Sequence, residues 1–144
     1  MADTTRGCIL TGDKQTAIEE RTLRAIGPTD AVVKVDYCGI CGSDLHAWSA
    51  GGAVYEYGTL MGHEATGTVE EVGAEVTTVK PGDRVSINGF TPCKTCIACR
   101  SGIENACANN MIRTIGQTPV IAGAFADRIW LPEIDVTAVK MPDH

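Results

Sequence analysis

The sequence has few aromatic residues, no excess of positive charge and no long apolar segment. Two Trp, three Tyr and two Phe stand beside sixteen Gly in 144 residues, which favours turns and short strands. The net charge of −6 argues against a nucleic-acid partner, because phosphate binding needs a basic face. No apolar run reaches the length of a membrane span, and residues 1–6 lack the apolar stretch of a signal peptide. We therefore expect a soluble, cytoplasmic protein with no membrane partner.

Short strands separated by glycine-rich turns dominate the sequence pattern. One or two helical turns are expected within residues 38–49, with Ser43 near the N-cap. The apolar alternation predicts a hairpin from 7–12 and 17–24 and further strands at 30–37, 66–72, 84–88 and 125–132. The expected fold is mainly β: an irregular β-barrel or curled sheet with a short helix or two.

Four of the seven cysteines are closely spaced, in a lobe that spans residues 92–107. Two-residue gaps and one seven-residue gap allow four thiolates to surround one Zn²⁺ ion in a tetrahedron. Lys94 and Arg100 lie within the lobe and are expected to offset the negative charge of the thiolates. A site with four protein ligands has no position for water or substrate, so we predict a structural zinc. Its ligands are Cys93, Cys96, Cys99 and Cys107.

Two other interpretations of the four cysteines remain open. An iron–sulfur cluster also uses cysteines at two-residue gaps, but the bacterial pattern ends in a three-residue gap and a Cys-Pro pair. Here Ala108 follows the last cysteine, which disfavours that pattern. The second alternative is that the four thiols bind no metal. Such close spacing in a reducing compartment disfavours this interpretation.

A second group of metal-ligand residues lies in glycine-rich loops at the ends of predicted strands. Cys41, His63 and Glu64 together suit Zn²⁺ with a vacant position. A single His is more often a core residue, and Cys8 or Cys38 can be an ordinary buried apolar side chain.

Three residues beside Cys41 complete this constellation. Asp44 is placed to accept a hydrogen bond from the second ring nitrogen of His63. Ser43 and His46 are placed to carry a proton outward from whatever binds the metal.

In order and spacing, these motifs resemble the N-terminal catalytic domain of the zinc-dependent medium-chain alcohol dehydrogenases, which has a GroES-like fold. The resemblance runs through residues 38–46, 62–64, 67–73, 79–85, the cysteine lobe, 123–128 and 131–132. It implies that Cys41 and His63 are catalytic zinc ligands and that Glu64 is either a ligand or a residue beside the zinc. It further implies that Ser43 receives the substrate proton, that His46 relays it and that Asp44 supports His63.

The implied reaction is oxidation of an alcohol or polyol by hydride transfer to NAD or NADP, and its reverse. Zinc lowers the pKa of the alcohol, Ser43 and His46 remove the proton, and the nicotinamide accepts the hydride. The implied substrate is a small alcohol or carbonyl compound. Gly42 resembles the polyol branch of the family, whereas Leu45-His46-Ala47-Trp48 resembles small-alcohol enzymes, so the substrate class stays open.

The sequence lacks the Gly-x-Gly-x-x-Gly turn of a Rossmann cofactor domain, since no two glycines stand two residues apart. We therefore expect residues 1–144 to be a catalytic-domain fragment with a complete structural zinc site, an incomplete catalytic site and no activity alone. The resemblance implies that the parent enzyme is a homodimer or homotetramer.

Two alternatives without catalysis compete with this interpretation. A zinc-ribbon binding module uses a similar cysteine knuckle, although the acidic charge disfavours nucleic acid. A structural GroES-like protein shares the fold but needs none of the residues around Cys41 and His63.

Overall fold

A hairpin and a separate five-stranded sheet form the framework of the chain, of which the computed structural model describes residues 4–109 and 113–142. The hairpin joins β1 (Thr4–Gly12) to β2 (Gln15–Thr22) in an antiparallel pair. Lys14, in the turn between them, has a φ of 58°, a left-handed conformation that short hairpin turns require. The predicted hairpin is therefore present, with a longer first strand, a second strand that begins two residues earlier and a tighter turn than the sequence suggested.

The larger sheet is antiparallel throughout, in the order β6-β3-β4-β5-β7. Among the described residues neither sheet closes on itself, so the strands form an open sheet and a hairpin instead of one closed barrel. The mainly β class is confirmed. The five strands are β3 (Ala31–Gly39), β4 (Glu64–Val72), β5 (Arg84–Ile87), β6 (Arg128–Leu131) and β7 (Ala138–Lys140).

The helices are short and lie in the connections. α1 (Gly42–Ala50) follows β3 directly and continues into a 3₁₀ turn at Gly51–Ala53. α2 (Ile97–Arg100) and a 3₁₀ turn at Glu104–Ala106 shape the cysteine lobe, and α3 (Ile134–Thr137) precedes β7. None of the helices in the described ranges is long and apolar enough to cross a bilayer.

Ser43 is the second residue of α1 and therefore lies near the N-cap, in agreement with the sequence pattern. The helix begins at Gly42, and the Asp44 carboxylate accepts a 2.9 Å hydrogen bond from the Cys41 N–H. This contact is one half of a capping box, in which an acidic residue three positions into the helix bonds back to the N-cap backbone. Asp44 therefore fixes the start of α1 and the backbone of Cys41 together.

Two apolar clusters hold these elements. The larger one lies on the five-stranded sheet and contains Val33, Val85, Ile129 and Leu131, each fully buried. Burying each of these side chains contributes about 1.5–3 kcal/mol. The smaller cluster packs α1 on β1 through Leu10, Ala47, Tyr55 and Met61. It sets the position of α1, which carries Ser43, Asp44 and His46.

Close glycine contacts fix the backbone that leads into β4. Gly62 and Gly116 have φ values of 96° and 65°, and a Cβ at Gly116 would lie 2.2 Å from the Gly62 carbonyl oxygen. A Cβ at Gly123 would lie 2.1 Å from the Met61 oxygen. Only glycine permits such approaches, so this crossing determines where His63 stands.

Candidate metal centres

The four cysteines of the lobe converge on one point. Their Sγ atoms all lie within 4.8 Å of one another, with 4.0 Å between Cys93 and Cys99 and 3.5 Å between Cys96 and Cys99. Cys96 is the N-cap of α2, Cys99 lies in that helix, and Cys107 ends the 3₁₀ turn. The short helix and the turn therefore bring together the thiols that the spacing predicted to be adjacent.

Backbone N–H groups point at these sulfurs. The Cys93 N–H and the Asn109 N–H donate to Cys107 Sγ, and the Cys96 N–H donates to Cys93 Sγ, each at 3.4 Å. The Thr95 hydroxyl also donates to Cys93 Sγ at 3.4 Å. Such donors stabilise thiolates, the form in which cysteine binds a metal.

The protonation preferences of the lobe reflect the crowding of four acidic thiols. The hydrogen bond from the Thr95 hydroxyl, with those from backbone N–H groups, lowers the pKa of Cys93 to about 5. Desolvation and the neighbouring sulfurs raise the pKa of Cys99 to about 12. Four thiolates at these distances need a cation between them. The sulfur donors, their spacing and the N–H groups therefore fit Zn²⁺.

Lys94, which lies within the cysteine lobe, pairs with a carboxylate outside it. Its ammonium group forms an ion pair with Glu133, at the start of α3. Both residues have left-handed backbones, with φ values of 57° and 52°. The pair therefore connects the cysteine lobe to the segment that leads into β7.

A second convergence of ligand atoms lies where β3 ends and β4 begins. Ligand atoms of Cys41, His63 and Glu64 all lie within 4.8 Å of one another. Glu64 is paired with Gly39 across the two strands, and a Cβ at Gly39 would lie 2.9 Å from Glu64 Oε2. The glycine thus leaves room for the carboxylate. A thiol, an imidazole and a carboxylate suit Zn²⁺ with an open position.

Asp44 stands behind His63, as the sequence predicted. Asp44 is only 2% exposed, and its Oδ1 lies 3.6 Å from His63 Nδ1. Burial raises the pKa of Asp44, while the Cys41 N–H and His63 oppose that rise. With Nδ1 facing a carboxylate, the proton of a neutral ring belongs on Nδ1, and Nε2 is free to bind a metal.

Ser43 also faces this histidine, whereas His46 does not join it. The Ser43 hydroxyl lies 3.3 Å from His63 Nε2. His46 is exposed, and among the described residues its side chain makes no hydrogen bond or ion pair. Ser43 is therefore in place for the first step of the expected proton path, but it makes no direct contact with His46.

A cleft of about 680 Å³ opens beside Cys41, Ser43, His63 and Glu64. Its other walls come from strands β4 and β5, from the segment after β5 and from residues near 115. Sequence reasoning missed these residues; the one available signal was that Asn88 ends a predicted strand and that Phe90 lies two residues after it. The wall residues are Ala65, Thr66, Ser86, Ile87, Asn88, Gly89, Phe90, Thr114 and Gln117.

Cys8 and Cys38 lie outside both groups of ligand atoms. Both are partly buried, and desolvation raises the pKa of Cys38. These properties suit the apolar role that the sequence left open for them.

Comparison with known proteins finds relatives with similar sequences. Two proteins named probable D-xylulose reductase A resemble the chain. The one from Aspergillus clavatus is 37% identical over 129 residues, which are 87% of this chain and 35% of that protein. The one from Neosartorya fischeri is 36% identical over 140 residues, which are 94% of this chain and 38% of that protein.

Solved structures give the same result. An alcohol dehydrogenase from a Thermus species has a TM-score of 0.85 and 32% identity, covering 96% of this chain and 40% of that one. An oxidoreductase of unknown specificity from Escherichia coli has a TM-score of 0.83 and 31% identity, covering 97% of this chain and 40% of that one. The chain thus spans less than half the length of these relatives.

The sequence pattern of the alcohol dehydrogenase GroES-like domain matches residues 27–143. This match includes both groups of metal-ligand residues, and the resemblance inferred from the sequence is thereby confirmed. The chain belongs to the alcohol dehydrogenase GroES-like domain family.

Proposed function

We propose that this chain is the metal-binding catalytic part of a zinc-dependent oxidoreductase that interconverts alcohols and carbonyl compounds with NAD or NADP. The observation that carries the proposal is the convergence of Cys41, His63 and Glu64 at the edge of a cleft, with Ser43 beside them. A metal held only for structure has no need of an open cleft or of an adjacent hydroxyl. A zinc-ribbon module and a non-catalytic GroES-like protein account for neither.

Two zinc ions with different roles are proposed. Cys93, Cys96, Cys99 and Cys107 hold the structural ion, and Cys41 and His63 hold the catalytic one, with Glu64 as a further ligand or as a neighbour of the metal. Bound at the cleft, zinc supplies a Lewis acid that polarises the oxygen of an alcohol or a carbonyl group. Whether Glu64 is a ligand or a neighbour is decided by X-ray absorption at the zinc edge, because Glu64→Gln removes a carboxylate oxygen from the coordination shell only when Glu64 coordinates.

The proton is handled by residues of α1. Ser43 lines the cleft, where a substrate oxygen would enter. Its hydroxyl group receives the proton of the substrate hydroxyl in oxidation and returns it in the reverse direction. Asp44 holds the His63 ring in the tautomer that leaves Nε2 available. His46, three residues after Ser43 on the same helix and exposed, is proposed to release the proton to solvent.

The substrate class is proposed to be a polyol. The cleft presents hydroxyl and amide groups from Thr66, Ser86, Asn88 and Gln117, with Phe90 as an aromatic wall. Several hydroxyl groups on one substrate can hydrogen-bond to such a wall, whereas a simple alkyl alcohol would leave the polar atoms of the wall unpaired. The relatives named D-xylulose reductase agree with this choice.

NAD or NADP supplies the hydride acceptor. A dehydrogenase from Sinorhizobium meliloti that is described as zinc-binding and bound to NADP matches this chain with a TM-score of 0.80, 30% identity and 39% coverage of its own length. Because the present sequence has no Gly-x-Gly-x-x-Gly turn, we propose that the cofactor binds a separate domain of the same protein. The single catalytic domain of residues 1–144 and a dimeric or tetrameric parent are part of this proposal.

The test uses the complete gene product. Polyols such as xylitol and simple alcohols such as ethanol are supplied with NAD or NADP, and formation of the reduced cofactor is followed by absorbance. His63→Ala should abolish turnover while the fold is retained, and Cys8→Ser is the matched control. Absence of turnover with every alcohol, or full activity of His63→Ala, would contradict the proposed function.

A further inference from the structure

Tyr55 carries a buried hydroxyl that the proposed chemistry has not yet used. The side chain is 5% exposed and packs against Leu10, Ala47 and Met61. Its hydroxyl is shielded from solvent and has no hydrogen-bond partner within the described residues. A phenylalanine would fill the same apolar space without burying a polar atom, so the hydroxyl calls for an explanation.

Ser43 is the polar group next to this hydroxyl. Burial raises the pKa of Tyr55, and the nearby Ser43 hydroxyl opposes that rise. The phenol is therefore protonated at neutral pH and is able to donate. Ser43 lies four residues before Ala47 on α1 and therefore on the same face of the helix, and Ala47 belongs to the apolar cluster that contains Tyr55.

The Ser43 hydroxyl needs such a partner once His63 binds a metal. In the structure Ser43 Oγ lies 3.3 Å from His63 Nε2, whose ring proton belongs on Nδ1 beside Asp44. Ser43 therefore donates to Nε2 when no metal is bound. Because one nitrogen lone pair cannot both accept that proton and coordinate a metal, metal binding takes this acceptor away from Ser43.

We infer that Tyr55 is a positioning residue that holds Ser43: its hydroxyl donates to Ser43 Oγ, so that the Ser43 proton points into the cleft. The order of donors is then Tyr55 to Ser43, and Ser43 to either His63 or a ligand in the cleft. Without Tyr55 the Ser43 hydroxyl rotates among several orientations. The consequence for turnover rests on the proposed function, whereas the contact with Ser43 does not.

Nitrogen NMR of the histidine rings tests the contact without any enzyme assay. The chain has only three histidines, so the His63 signals are readily assigned by comparison with His63→Ala. The sample is the chain with zinc bound only in the cysteine lobe. In this sample, Tyr55→Phe should shift the His63 Nε2 resonance and leave the His46 resonances unchanged. In a Ser43→Ala background the same substitution should produce no shift. The matched control is Tyr57→Phe, because Tyr57 is half exposed and donates to Asp13 at 2.6 Å, away from the site.

Kinetics of the complete gene product test the consequence. Tyr55→Phe should lower kcat about tenfold and leave KM within about twofold, with unchanged zinc content and melting temperature. Adding Tyr55→Phe to Ser43→Ala should cause no further loss, since the two residues act as one unit. Tyr57→Phe should retain full activity.

The outcomes are distinguishable. An unshifted His63 signal in Tyr55→Phe, or an equal shift in the Ser43→Ala background, overturns the inference. So does a loss of kcat that is the same with and without Ser43, because that pattern indicates a purely structural effect. A wild-type protein that turns over no alcohol removes the proposed function, and the NMR measurement alone then decides whether Tyr55 positions Ser43.

Discussion

His63 Nδ1 lies 3.6 Å from Asp44 Oδ1, and within the described residues neither buried atom has a hydrogen-bond partner. Leaving one buried polar atom unpaired costs about 1–3 kcal/mol, so two that face each other across a slightly long gap are poised to bond. A metal on Nε2 makes the opposite N–H a stronger donor. We therefore expect metal binding to draw the ring and the carboxylate together.

The first prediction concerns this pair. Asp44→Asn should weaken zinc binding at the cleft by about 10–100-fold, because an amide supports the metal-bound histidine less well than a carboxylate. The asparagine oxygen can still accept from the Cys41 N–H, so the fold should persist. Zinc affinity is measured by competition with a chromophoric chelator after the cysteine lobe is filled. The control is Asp36→Asn, because the Asp36 carboxylate is exposed and accepts a hydrogen bond from Thr68. Equal zinc affinities of wild type and Asp44→Asn would refute the supporting role of Asp44.

Local sequence patterns predict the centres of the strands better than their ends. The alternation in 66–72 marks β4, but the strand begins at Glu64, because pairing with Gly39 and Cys38 extends it. The predicted strand at 125–132 shrinks to Arg128–Leu131. The N–H groups of Phe125 and Asp127 bond instead to Met61 and Arg6, outside the sheet.

Elements that depend on distant contacts were not predictable. Helix α3 is one turn long, and its Ile134 N–H bonds to the Thr29 carbonyl, more than one hundred residues earlier. By contrast, the sequence predicted which cysteine, histidine and glutamate side chains converge, because their types and spacing are informative in themselves. It did not identify Thr114, Gln117 or Tyr55, since their places beside the cleft or α1 follow from how separate segments pack.

The second prediction concerns the cysteine lobe. The purified chain should contain one tightly held zinc per lobe and be colourless; a brown chromophore would indicate an iron–sulfur cluster instead. Cys107→Ser should remove that zinc and lower the melting temperature, because a structural zinc contributes directly to folding. Cys8→Ser, which lies outside both ligand groups, should change neither. Retention of the lobe zinc in Cys107→Ser would refute four-cysteine coordination.

The third prediction is a pH dependence of stability at Asp135. Burial alone would raise the pKa of this carboxyl, but hydrogen bonds from Thr78 and Thr77 outweigh that effect and lower it to about 2. The unfolded chain, with the ordinary value of 3.8, binds more protons between these two limits, so stability rises with pH through that window. The contribution is present above pH 4 and is lost as the pH falls through about 2.

Asp135→Asn tests this contribution. Because Asp135 is only partly buried, solvent screening limits the expected loss at pH 7 to about 1 kcal/mol. The difference from wild type in free energy of unfolding should shrink towards zero as the pH approaches 2. Asp36→Asn should show no such pH dependence, and an Asp135 carboxyl that titrates near 4 by carbon NMR would contradict the mechanism.

The last prediction concerns the glycine crossing that places His63. Gly116→Ala would bring a Cβ within 2.2 Å of the Gly62 oxygen at a residue whose φ is 65°, so backbone must move. We expect a loss of about 3 kcal/mol or more in the free energy of unfolding, together with weaker zinc binding at the cleft. Gly82→Ala is the matched control, because Gly82 has a φ of 92° but nothing within 4 Å of the added Cβ. Its cost should be only the left-handed backbone, about 1 kcal/mol, with cleft zinc binding intact. If the two variants lost equal free energy of unfolding and bound zinc at the cleft equally well, the crowding around Gly62 would not position His63.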